Sequence, residues 1–164
     1  MPPPIGELFS PPWKIIRSIF FDKTSKANWS VPWHQDLTIC VRERLDAPGF
    51  GPWSIKDGLH HVHAPAEVLD QIVTVRLHLD DCGTENGPLR VLHGSHKNGR
   101  LNDSTAAEFQ TTHTNVACAI SKGGALLMKP LLLHSSSRAT NPTHRRILHF
   151  EVTNARLPSG LKWI

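Results

Sequence analysis

The chain has 164 residues with 18 Lys or Arg, 14 Asp or Glu and 11 His, so its formal net charge is +4 when the histidines are neutral. This length and a hydrophobic content of 39% predict one globular domain over residues 1–164, and they exclude a disordered tail or a fibre. The longest apolar run, 125–133, contains Lys129 and Pro130, so we expect no membrane span. The start, Met1-Pro2-Pro3-Pro4, lacks the basic and apolar regions of a signal peptide, so we expect a cytoplasmic location.

The spacing of the cysteines and the distribution of the basic residues argue against two further classes of protein, the cysteine-stabilised and the nucleic-acid-binding proteins. Cys40, Cys82 and Cys118 are odd in number and form no C-x-x-C pair, so we expect reduced thiols rather than a disulfide framework or a zinc ribbon. The basic residues are scattered, and the longest basic cluster is only 144–146. We therefore expect no nucleic-acid partner, and the positive excess equally fits acidic small-molecule ligands. The sequence makes no prediction of oligomeric state.

The predicted secondary structure is mostly strand. Thirteen prolines and 11 glycines divide the chain into short segments that are β-branched or alternate between apolar and polar residues. The predicted strands are 14–21, 31–42, 72–79, 89–92, 116–120, 125–128, 131–135 and 146–153. Two short helices are predicted at 64–71, with Pro65 in the first turn, and at 103–110, opened by a capping Asp or Ser. The long segment 47–63 is predicted to be a functional loop, such as a lid. Eight short strands suffice for two facing sheets and indicate an all-β fold.

A metal site is indicated by the segment Trp33-His34-Gln35-Asp36. On a strand, residues i and i+2 project to the same face, so His34 and Asp36 can converge on one ion. We expect the third ligand to be His134, which follows an apolar run. Two neutral imidazoles and one carboxylate leave open coordination positions and suit non-haem iron(II).

Arg145 strengthens this interpretation because it follows His134 by 11 residues, across a turn at 140–143. A hairpin could return its guanidinium to the metal, where it would hold the carboxylate of a dicarboxylate co-substrate. Arg146 must then face outward, since neighbouring residues on a strand alternate.

Two other clusters have simpler interpretations. His60, His61 and His63 could form a second metal site, but no carboxylate or cysteine partner is apparent, and we prefer a lid or a substrate-entry loop. The segments Asp80-Asp81 and Glu85-Asn86-Gly87 could together bind calcium, although a turn between two strands explains them better.

With these residues, the sequence resembles the phytanoyl-CoA dioxygenase family of iron(II)- and 2-oxoglutarate-dependent oxygenases. The segments that match in order and spacing are W-H-Q-D at 33–36, E-N-G-P-L-R-V-L-H-G-S-H-K at 85–97, G-G-A-L-L-M at 123–128, H-S-S-S at 134–137 and R-R-I-L-H at 145–149. Together they span residues 31–151, about three quarters of the chain.

The resemblance implies a double-stranded β-helix, also called a jelly roll or cupin-like fold, with short accessory helices. It implies that His34, Asp36 and His134 bind iron, and that Arg145 and Ser136 bind the far carboxylate of 2-oxoglutarate. The implied reaction consumes O2, releases succinate and CO2, and hydroxylates a small organic or acyl substrate. Retention of Asp36 favours hydroxylation, because halogenating relatives lack this carboxylate.

The chain departs from the family pattern in its N-terminal region and in the pocket wall. Only about 30 residues precede His34, so we expect a short or minimal form of the domain. Arg76 stands where many relatives carry a tryptophan near the co-substrate, and His93 stands where a proline is usual. Two alternatives therefore stay open: a cupin-like metal-binding protein of another class, and a non-catalytic fragment that binds a dicarboxylate.

Overall fold

Residues 12–164 are described by the computed structural model of the chain. The interpretation of Met1–Pro4, and the first residues of the expected 1–164 domain, lie outside the described residues. No helix of the described part is long and apolar enough to cross a membrane.

Two four-stranded antiparallel sheets form the body of the fold. The first contains, in spatial order, β1 (Lys14–Lys23), β11 (Arg145–Thr153), β6 (Val73–His78) and β9 (Ala125–Met128). The second contains β2 (Val31–His34), β10 (His134–Ser136), β7 (Leu89–Leu92) and β8 (Asn115–Cys118). Side chains of both sheets line one cavity between them. The predicted all-β, jelly-roll architecture is therefore confirmed.

A third sheet consists of three antiparallel strands. Its order is β3 (Thr38–Val41), β5 (Leu59–His63) and β4 (Trp53–Lys56). The main hydrophobic core lies against this sheet and includes Ile39, Val62, Leu69 and Ile72, each at most 1% exposed. The main apolar core thus lies beside the space between the two larger sheets, and that space is lined by polar and apolar side chains together.

The third sheet corrects two predictions. Residues 31–42 form two strands, β2 and β3, since the chain leaves the second sheet after His34 and enters the third at Thr38. Residues 47–63 are not an irregular loop, because they contain the β4–β5 hairpin. The hairpin turns at Asp57-Gly58, where both residues have positive φ values of 52° and 75°. Such an Asp-Gly pair is a strong hairpin signal.

The helices are short, as predicted. They are α1 (Ala66–Leu69), α2 (Asp103–Thr112) and two 3-10 turns at Thr84–Asn86 and Ser95–Asn98. The predicted cap of α2 was wrong, because Asn102 accepts the hydrogen bond from the Thr105 amide at 2.9 Å. The strand predicted at 131–135 was also placed too early, since β10 begins at His134. All three cysteines are free thiols, as expected.

Candidate metal centre and anion-binding cavity

The side chains of His34, Asp36 and His134 meet at the edge where β2 pairs with β10. His34 and His134 are direct cross-strand partners in this antiparallel pair. Asp36 lies two residues beyond the end of β2, and its amide donates to the Pro130 carbonyl oxygen at 2.9 Å. Each residue contributes one potential ligand atom, and the three atoms lie within 4.8 Å of one another. Among residues 12–164, no other group of three or more His, Cys, Asp or Glu side chains has this proximity.

Backbone carbonyls orient both imidazoles. His34 Nδ1 is 2.8 Å from the Pro32 oxygen, and His134 Nδ1 is 2.7 Å from the Leu132 oxygen. A carbonyl oxygen only accepts, so each Nδ1 carries a proton, and in the neutral form of each ring Nε2 keeps the lone pair that can bind a metal. The two Nε2 atoms lie 3.5 and 3.6 Å from the oxygens of Asp36. The hydrogen bonds of the two Nδ1 atoms to backbone oxygens fix the tautomer that a metal requires.

Gln35, between His34 and Asp36, points away from the cluster and anchors the segment. Its amide nitrogen donates to the carbonyl oxygens of Gly99 and Leu131 at 2.8 and 2.7 Å. Its amide oxygen accepts from the Leu101 amide at 2.8 Å. Three hydrogen bonds therefore hold the backbone that positions the two neighbouring side chains.

The electrostatics of the cluster ionise Asp36 and keep His134 neutral, as metal binding requires, whereas they favour the protonated form of His34, which must lose a proton to bind a metal. Burial opposes the charge of Asp36, but the hydrogen bond from His34 and the charge of His134 outweigh it and lower the pKa to about 2. Burial lowers the pKa of His134 to about 4. The hydrogen bond to Asp36 instead raises the pKa of His34. One carboxylate and two imidazoles with free Nε2 lone pairs fit a divalent transition metal with open positions, of which non-haem iron(II) is the standard case.

The cluster opens into a cavity of about 320 Å³ between the two large sheets. Arg145 enters this cavity from the first residue of β11 and is 3% exposed. Its guanidinium donates to the Gly87 carbonyl oxygen. Arg146 points outward and pairs with Asp80 at 2.7 Å, which confirms the predicted alternation of the two arginines.

Lys23, which the sequence did not single out, lies beside Arg145 at the end of β1. It is fully buried and donates to Ser136 Oγ at 3.1 Å and to the Ser137 carbonyl oxygen at 2.7 Å. Burial and the charge of Arg145 lower the pKa of Lys23 to about 8. Neither cation has a carboxylate within ion-pair distance in the described chain, so this end of the cavity suits an anion. The sequence contained a signal for Lys23, because it continues the alternation of β1 residues 17, 19 and 21, which line the cavity.

The histidines at 60, 61 and 63 lie on β5 and do not form a metal group. His61 is buried with its Nδ1 3.5 Å from Cys40 Sγ. His63 lines a second cavity of about 260 Å³ that shares His34 and Asp36 with the main one. The prediction of a loop at these histidines is therefore wrong, because they lie on a strand. His63 nevertheless lines a cavity that contains two members of the candidate metal cluster.

Several solved structures match the fold of this chain. AviO1 from Streptomyces viridochromogenes Tue57 matches with 23% identity and a TM-score of 0.61, over 90% of this chain and 53% of that one. EctD from S. alaskensis, solved with 2-oxoglutarate and 5-hydroxyectoine, matches with 18% identity and a TM-score of 0.59, over 86% of this chain and 44% of that one. The non-haem α-ketoglutarate-dependent carbocyclase SnoK from nogalamycin biosynthesis matches with 17% identity and a TM-score of 0.60, over 88% of this chain and 51% of that one.

These likenesses establish the fold, and the chain spans about half the length of these three structures. No curated protein sequence matches the chain. The family comparison is more specific, because the phytanoyl-CoA dioxygenase (PhyH) family model matches residues 11–147. The chain therefore belongs to the phytanoyl-CoA dioxygenase family.

Proposed function

We propose that this chain is a non-haem iron(II)- and 2-oxoglutarate-dependent dioxygenase that hydroxylates a small organic or acyl substrate. One observation carries the proposal: the His-Asp-His cluster and Arg145 line the same cavity. Lys23 lies beside Arg145 and donates to Ser136 of the cavity wall, and neither cation has an acid within ion-pair distance in residues 12–164. Membership of the family and the structures of EctD with bound Fe and with 2-oxoglutarate support it. We also propose that residues 1–164 act as a single catalytic domain.

His34, Asp36 and His134 would hold the iron. Asp36 supplies the only negative charge of the ligand set, so a divalent ion keeps one net positive charge with which to attract an anionic co-substrate. The Nδ1 hydrogen bonds to Pro32 and Leu132 prevent the imidazole rings from rotating away from the ion. Together these contacts preorganise the site before the metal binds.

Arg145, Lys23 and Ser136 would bind the far carboxylate of 2-oxoglutarate. The guanidinium offers a planar pair of donors, and the ammonium is held 3.1 Å from Ser136 Oγ. With iron, 2-oxoglutarate and O2 bound, oxidative decarboxylation to succinate and CO2 supplies the oxidant for a substrate C–H bond. The inner end of the cavity is shielded from bulk water, because His134, Ser136 and Arg145 are each at most 5% exposed.

Succinate formation tests the proposal directly. The purified chain is expected to form succinate only when iron(II), 2-oxoglutarate and O2 are all present, and His34→Ala is expected to abolish it. His113→Ala, at the exposed end of α2, is the matched control and should retain it.

An anaerobic mixture with iron(II) and 2-oxoglutarate should also show a weak visible charge-transfer band. Turnover that survives in His34→Ala would refute the site. A charge-transfer band without any succinate would instead support the non-catalytic dicarboxylate-binding alternative.

A further inference from the structure

Arg76 lines the same cavity from β6 and has no assigned role in the proposed reaction. It is 8% exposed, and its Nη1 lies 3.0 Å from His149 Nδ1 on the neighbouring strand. Its guanidinium carbon lies 5.4 Å from the ring centre of Phe21. These contacts fix the position of the guanidinium without neutralising it.

The guanidinium of Arg76 lacks an acidic partner. No carboxylate in the described chain lies within ion-pair distance of it, and its buried Nε has no hydrogen-bond partner there. Burial, with the charge of Arg145, lowers the pKa of Arg76 to about 10, so it remains a cation at neutral pH. An uncompensated buried charge is costly, which indicates that the site is completed by an anion.

The nearby acid of the first sheet is already engaged. Glu151 Oε1 pairs with Arg17 Nη1 at 3.2 Å, and the same oxygen lies 3.6 Å from His149 Nε2. The row Arg76, His149, Glu151 and Arg17 therefore crosses three strands with one acid and two arginines. Because the charge of Arg17 neutralises that of Glu151, the positive charge of Arg76 is not compensated by this acid.

A charge count shows that 2-oxoglutarate alone does not neutralise the cavity. A divalent metal with Asp36 carries one positive charge, and Arg145, Lys23 and Arg76 add three more. The two carboxylates of the co-substrate remove two charges, one beside Arg145 and Lys23 and the other beside the metal. Two positive charges remain, and Arg76 is the cation that neither carboxylate requires.

We propose that Arg76 binds a carboxylate of the substrate, so that this enzyme acts on organic acids. The proposal rests on the proposed function, since it takes the Arg145 end as the co-substrate site. A guanidinium with one hydrogen bond to His149 has donors left for a two-pronged grip on a carboxylate. The apolar side chains of Ile19, Phe21 and Leu89, which share the cavity, suit the body of such an acid.

Acetate and acetamide, which match in size and differ in charge, are the probes. The protein is loaded anaerobically with iron(II) and saturating 2-oxoglutarate, and binding is measured by calorimetry and by the shift of the unfolding midpoint at constant ionic strength. Acetate is expected to bind at least about tenfold more tightly than acetamide, as for a charge-assisted contact. Arg76→Met should remove this preference, Arg76→Lys should restore part of it, and both should bind 2-oxoglutarate within about twofold of the wild type.

Arg90→Met is the matched control, because Arg90 bonds to Asn115 outside the cavity. The proposal fails if acetate and acetamide bind alike in the wild type, a comparison that needs no variant to fold. It also fails if Arg76→Met leaves acetate binding intact. It fails as well if Arg76→Met weakens 2-oxoglutarate binding as much as a substitution of Arg145 does, because Arg76 would then bind the co-substrate. If the wild type does not bind 2-oxoglutarate, the proposed function fails, and an Arg76-dependent preference for acetate in the metal-free chain would still support an organic-acid site.

Discussion

Replacing Arg145 by leucine is expected to weaken 2-oxoglutarate binding about a hundredfold. The side chain is 3% exposed, so its contact with a carboxylate is shielded from water. Truncating one partner of a buried charged pair costs roughly 2 to 5 kcal/mol. Lys23 remains beside the carboxylate in this variant, which places the loss near the lower end, at about 3 kcal/mol, or a factor of roughly one hundred.

The assay is an anaerobic titration of the iron(II)-loaded protein with 2-oxoglutarate and, separately, with 2-oxobutyrate, which lacks the far carboxylate. Arg145→Leu should weaken only the first, because 2-oxobutyrate makes no contact with the guanidinium. Arg146→Leu is the control, since the adjacent arginine points outward to Asp80. An equal loss for both ligands, or an equal loss in Arg146→Leu, would refute the assignment of Arg145 to the far carboxylate.

Three further predictions concern protons and packing. Metal binding between pH 5 and 6 should release one proton, from His34, because Asp36 is already ionised and His134, with a pKa of about 4, is already neutral. Calorimetry in buffers of different ionisation enthalpy counts the protons released, and two protons would contradict the neutral state of His134. The free energy of unfolding of the metal-free protein should rise between about pH 8 and 10.5. Burial lowers the pKa of Lys23 from 10.5 to about 8, so in this range the unfolded chain binds more protons than the folded chain. Urea titrations measure the rise, and Lys23→Met should remove the contribution of Lys23 to it. Leu69→Ala, at a position 1% exposed in the main core, should lower the free energy of unfolding by about 3 kcal/mol, and a loss below 1 kcal/mol would place Leu69 outside that core.

The strand pattern was predictable where alternation or β-branching is strong and turn residues flank it. The predicted bounds of β7 and β9 coincide with those in the structure. The β4–β5 hairpin was missed because two prolines and three glycines interrupt residues 47–63, although Asp57-Gly58 marked its turn. Residues 31–42 were read as one strand because local pattern does not show that the chain changes sheets.

The candidate metal cluster could be predicted because two of its members are two residues apart and the third follows an apolar run. The pairing of Lys23 with Arg145 and the contact of Arg76 with His149 could not be derived in this way. Both depend on the registers in which β1 and β6 pair with β11, where Lys23 lies opposite Arg145 and Arg76 lies opposite His149. Strand register across more than 60 residues of sequence is a tertiary property.

The first sheet also inverts the usual relation between polarity and burial. Along β11 the inward positions include Arg145, His149 and Glu151, whereas Leu148 and Phe150 alternate with them. Alternation alone identifies a strand but not which of its faces is inside, and the usual preference would have placed the apolar face inward. The inversion follows if the space between the sheets is a ligand site while the core lies against the third sheet. The buried charges of that space then lower the stability of the ligand-free protein, so metal and 2-oxoglutarate should each raise its free energy of unfolding by mass action and by relieving these charges.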